Sequence, residues 1–130
     1  MTGRGHQDIA ASDVVWRDGM EDGIKYARFC LDEANRDSPT VILSKFGPGA
    51  EVPAHTHDTN YFEYIIEGEQ AVGKRLFRQG DVRLVTAGTG YGPIKVGSEG
   101  CTVLIVFENG ARSMTVPLPR AGAEEQVAPA

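Results

Sequence analysis

Apolar residues fall in short runs along this chain, and none shows the three-to-four-residue recurrence of an amphipathic helix. Runs rich in Val, Ile, Phe and Tyr recur between clusters of Gly, Pro, Asp and Asn: VVW, IKYARFCL, TVILSKF, YFEYIIE, QAVG, DVRLVTA, TVLIVF and SMTVPL. Strands at such intervals, divided by turn signals, predict an all-β sandwich or barrel. Glycine marks the divisions, at Gly47, Gly49, Gly68, Gly73, Gly80, Gly88, Gly90 and Gly110. TVLIVF is apolar on both parities, which predicts a strand covered on both sides. DVRLVTA sets Asp81 and Arg83 against Val82 and Leu84, which predicts a half-exposed strand with Arg83 outward.

A chain of 130 residues makes one domain. The barrel is expected over 13–119, with tails at 1–12 and 120–130 that are small, polar or proline-containing. The net charge of -5 and the lack of a basic run argue against nucleic acid or an anionic membrane as partner. No apolar stretch approaches the roughly 18 residues of a membrane span, and the first residues lack a signal-peptide core, so a cytoplasmic protein is expected. Cys30 and Cys101 belong to no C-x-x-C pair and are expected to be reduced thiols in apolar surroundings.

The most informative feature is His55-x-His57 within GPGAEVPAHTHDTNYFEYIIEGEQ. Alternate residues of a strand share a face, so the two imidazoles can enter one cavity and share an ion. Imidazole suits several divalent metals, so the pair does not choose among them. Glu63 has the same parity as His55, His57 and Tyr61. With the histidines it would form a two-histidine, one-carboxylate set; the competing reading is a solvent-facing or salt-bridged glutamate.

Glycine and histidine spacing together resemble the cupin family of small jelly-roll β-barrels. Gly49, His55, His57 and Gly68 fit its first motif, and Gly80 and Gly88 fit its second. The resemblance covers about residues 39–107 and implies a cupin-type jelly-roll β-barrel with a pocket in its mouth. It also implies one divalent ion (Fe, Zn, Ni or Mn), a small-molecule ligand or substrate, and a homodimer. Of the family's four usual ligand positions two carry tyrosine here, Tyr61 for the glutamate and Tyr91 for the second-motif histidine. Each tyrosine has three open readings: phenolate ligand, catalytic hydrogen-bond donor, or ring packing with its hydroxyl on the backbone.

The expectation is a small-molecule enzyme with its ion on His55, His57 and Glu63, and with Tyr61, Tyr91 and Glu63 in catalysis. Its substrate would be a small carbonyl or carboxylate compound. The chemistry implied by the resemblance is oxygenase, isomerase, cyclase or lyase. The alternative is a non-catalytic ligand-binding or sensor barrel with a degenerate metal site, and the orientation of Glu63 separates the two.

Overall fold

The computed structural model describes residues 5–118, and the parts of both expected tails beyond those limits lie outside the described residues. Ten strands follow in order: β1 Arg17–Asp18, β2 Ile24–Cys30, β3 Thr40–Phe46, β4 Glu51–Val52, β5 His55–His57, β6 Tyr61–Val72, β7 Arg75–Arg78, β8 Val82–Val85, β9 Ile94–Phe107 and β10 Thr115–Pro117. Among the described residues the only helical turns are two short 3-10 segments, Ala11–Asp13 and Gly110–Arg112. The main antiparallel sheet runs β1-β2-β3-β9-β6-β7, with β4 added to β9 and β8 to β6. A separate ribbon pairs β5 with β10, and His55 forms an isolated antiparallel bridge with Tyr91.

Alternation decides what each strand buries. On β6, Tyr61, Glu63 and Ile65 are buried, while Tyr64 and Ile66 are exposed. They meet Phe107, Ile105 and Val103 of β9 directly across the ladder. Beyond β9 the inward row continues through Thr40, Ile42, Ser44 and Phe46 of β3. Every residue from Cys101 to Phe107 is at least half-buried, as the two-sided apolar pattern of TVLIVF requires.

Two expected strands, YFEYIIE and QAVG, are one. Register shifts flank Gly68, whose positive φ of 81° lets β6 bulge and continue. Arg75–Arg78, read as no strand in the sequence, is β7; only Phe77 of its four residues is buried, so it carries little apolar signal.

The parity of DVRLVTA is the reverse of that expected. Arg83 is 7% exposed, while Val82 and Leu84 are 48% and 74% exposed. The cause is across the ladder, where Glu63 faces Arg83 in register. A carboxylate that β6 already commits to the interior needs a cation there, and this outweighs the burial of two aliphatic side chains.

Candidate active site

A cavity of about 730 Å³ opens inside the barrel. Ile24, Ile42, Phe46, Val52, Ile94, Ile105 and Phe107 make its apolar wall, and His55, His57, Glu63 and Tyr91 enter it together. The expectation that alternate positions aim both imidazoles inward is met: His55 and His57 are 5% and 8% exposed, with ring centroids 5.1 Å apart. Glu63 also faces inward, as its parity required.

Backbone carbonyls fix both rings. His55 Nδ1 donates to the Pro53 carbonyl at 2.8 Å, and His57 Nδ1 to the Ser113 carbonyl at 2.9 Å. In the neutral rings each Nε2 is therefore an acceptor. His55 Nε2 accepts from the Tyr91 hydroxyl at 2.9 Å. Among the described residues His57 Nε2 has no hydrogen-bond partner, although its ring lines the cavity. Ser113 is the part of the site that sequence inspection missed. It lies 56 positions from His57 and acts through its main chain, so its residue type carries no signal.

Burial pushes His57 down to about 4, and neighbouring His55 and Arg83 push the same way against its backbone bonds. Burial likewise lowers His55. Both tyrosines are raised, chiefly by burial. The Tyr61 hydroxyl is buried without a hydrogen-bond partner among the described residues, its ring packed on His57 and Phe107 at 5.1 and 5.2 Å.

Of the two readings of Glu63, the salt-bridged one is found, with the pair inside the barrel. Arg83 Nη1 donates to its Oε2 at 2.9 Å, and Gln70 Nε2 lies 3.5 Å from the same oxygen. Burial raises Glu63 against the pull of Arg83. For Arg83 burial works downward, and the attraction of Glu63 more than reverses it. The guanidinium also stacks 4.5 Å from the centre of the Tyr91 ring.

This arrangement does not fit the expected ion. Among the described residues no three His, Cys, Asp or Glu side chains converge where they could hold one, so His55, His57 and Glu63 do not assemble as a ligand set. The carboxylate is neutralised by Arg83, and His55 Nε2 is taken up by Tyr91. Phenolate ligation by Tyr61 or Tyr91 would work against their raised values.

The histidines give stability a definite pH dependence. A histidine at about 4 when folded and 6.5 when unfolded binds fewer protons in the native state, so stability falls as pH drops between those values. For His57 the full loss is about 3 kcal/mol, and His55 adds in the same sense. Glu63, raised on folding, acts oppositely: its contribution is present at low pH and lost as pH rises through its folded value. The urea midpoint should be lower at pH 4 than at pH 6.5, and His57→Gln should flatten the slope. A midpoint that is level or rising toward acid would contradict this account.

No family model matches the chain, and no curated protein matches it in sequence. Among solved structures it is similar to the polyketide cyclase RemF from Streptomyces resistomycificus, with a TM-score of 0.73 and 15% identity over 92% of this chain and 90% of that one. It is also similar to oxalate decarboxylase OxdC from Bacillus subtilis, with a TM-score of 0.65 and 24% identity over 87% of this chain. That decarboxylase has Mn(II) centres, and the match spans 33% of its length. A chain from the Rhodobacter sphaeroides complex of SigE with the anti-sigma ChrR matches at a TM-score of 0.62 and 19% identity, over 75% of this chain and 50% of that one. At such identities the likeness concerns the fold. No described helix is long and apolar enough to cross a membrane. These cupin-fold neighbours and the antiparallel strand order agree: the chain folds as an all-β, cupin-type jelly-roll barrel.

Proposed function

We propose that the chain is a cupin-family enzyme that moves a proton on a largely apolar carbonyl compound, in a cyclisation or isomerisation. The observation that supports this most directly is the His57 ring, held through Nδ1 by the Ser113 carbonyl and lining a mainly apolar cavity. A cavity of about 730 Å³ falls within the range of small-molecule sites and suits a compound of two or three fused rings. A polyketide cyclase is among the proteins that share this fold, so the barrel can host such a substrate.

The chemistry follows from the tautomers. His57 Nε2 removes a proton from a carbon between two carbonyls, and the C–H electron pair moves to a carbonyl oxygen as an enolate. The carbon then attacks a third carbonyl elsewhere in the same molecule, whose C=O electron pair moves to its oxygen, and that oxygen takes the proton from His57; for isomerisation the proton returns to a different atom. A base at about 4 is unprotonated near neutrality but weak, so only an already acidified carbon is within its reach. Tyr91, stacked on Arg83, gives its one hydroxyl proton to His55, so it would serve the developing oxyanion only by turning that proton away from His55. No step requires an ion on His55, His57 and Glu63.

A bicyclic aryl β-diketone in deuterated buffer tests this. The protein should accelerate exchange at the central carbon, and His57→Gln should reduce that acceleration by about 10²-fold or more. The second reading, a binding or sensor barrel, is favoured by the proton that Tyr91 already commits to His55. Binding of the diketone with no accelerated exchange would select it. Near one metal per chain in untagged protein, lost in His57→Ala, would instead restore the ion.

Pairing of two copies belongs to the same proposal, supported by an exposed apolar row on the outer face of β6 and β8, Tyr64, Ile66, Val82 and Leu84. Sedimentation equilibrium should show a species of twice the 14.0 kDa chain. A single 14.0 kDa species at high protein concentration would remove it.

A further inference from the structure

We infer that Arg28 selects an acidic ligand, so that the cavity takes an aromatic carboxylate with its charged end at the mouth and its carbonyl end toward His57. The inference rests on the cavity being the ligand site proposed above, and it adds the substrate's charge and direction of entry.

Arg28 lies on β2 in the inward row with Ile24, Tyr26 and Cys30, all lining the cavity. It is exposed, whereas His57, Glu63 and Tyr91 are buried, so it marks the solvent end of the space. Its fork is held in place: Nη1 donates to Ser113 Oγ and Nη2 to the Gly110 carbonyl, both at 2.9 Å. These bonds leave further N–H donors of the guanidinium unused, and among the described residues no carboxylate pairs with it. The contrast with Arg83 is informative, since that guanidinium is neutralised by Glu63.

An immobilised guanidinium with free donors recognises a planar carboxylate at little entropic cost, because its geometry is already set. Glu21, Glu33 and Arg36 also line the cavity. The same arginine grips the segment that orients the candidate base. Ser113 accepts from Arg28 through its hydroxyl and from His57 through its carbonyl. An anion on Arg28 would therefore bear on the turn that aims His57, which makes Arg28 a positioning residue as well as a specificity residue.

Calorimetric titration with β-naphthoate and β-naphthamide, matched in shape and differing in charge, tests the inference. The unmodified protein should bind the acid about tenfold or more tightly than the amide, with the preference shrinking as salt is added. Arg28→Gln should abolish the preference of acid over amide; Arg28→Lys, which keeps the charge without the fork, should retain part of it. If Arg28→Gln fails to fold, the salt series and Arg28→Lys decide the matter. Equal binding of acid and amide by the unmodified protein, or a preference surviving Arg28→Gln, overturns the inference alone. Binding of neither compound overturns both this inference and the ligand cavity. Loss of proton exchange in His57→Gln with the acid preference intact supports the inference while testing the chemistry separately.

Discussion

Arg83→Leu should lower stability by about 3–5 kcal/mol, read as a fall in the urea midpoint, because it leaves a buried carboxylate without its cation. Glu63 is 4% exposed, and its remaining neighbour, Gln70 Nε2 at 3.5 Å, is too distant to replace a charged donor. The abandoned glutamate will take up a proton, so the deficit should shrink as the pH is lowered. Replacing both members, Glu63→Gln with Arg83→Leu, should recover most of the loss, since two neutral side chains bury with a far smaller desolvation penalty. The coupling between the two substitutions is the diagnostic quantity. An Arg83→Leu change below about 1 kcal/mol would mean that the pair is solvated and carries no such role.

Gly68→Ala should be nearly as damaging, and Gly80→Ala provides its control. Both glycines have positive φ, 81° and 90°, so each loses the left-handed conformation that a side chain disfavours, at about 1–2 kcal/mol. Only Gly68 is also crowded. A Cβ there would collide with the Gly100 carbonyl oxygen and stand 2.8 Å from the Cys101 Cα, both backbone atoms of β9, whereas nothing lies within 4 Å at Gly80. Adding overpacking of about 1–3 kcal/mol puts Gly68→Ala at roughly 3–4 kcal/mol. Melts in which the two variants lose stability equally would show that β6 and β9 can separate there without penalty.

These two sites also show where the sequence was legible. Gly68 stood out by its spacing from the histidine pair, and alternation within each strand placed His55 with His57 and Tyr61 with Glu63 inward, although the two pairs lie on separate strands, β5 and β6. What alternation cannot convey is who answers a polar group from another strand. Read by itself, Val82-Arg83-Leu84 reports arginine outward and aliphatics inward; the reverse holds because Glu63 stands opposite on β6. The same blindness made Glu63 look available to an ion, when its charge is already met within the barrel. Ser113 was hidden for a further reason, since its carbonyl does the orienting and any residue type has one. Local pattern revealed the wall, and tertiary pairing decided its chemistry.

The ribbon that joins β5 to β10 has a consequence for the order in which the site can mature. His57 lies opposite Thr115 and His55 opposite Pro117, and the carbonyl that sets the His57 tautomer precedes that pairing by two residues. During synthesis both imidazoles leave the ribosome long before their last supports do, so a nascent chain holds them in the wrong company, free to choose either tautomer or to scavenge stray ions. Competence should therefore arrive abruptly, when the segment around 113–117 emerges and docks.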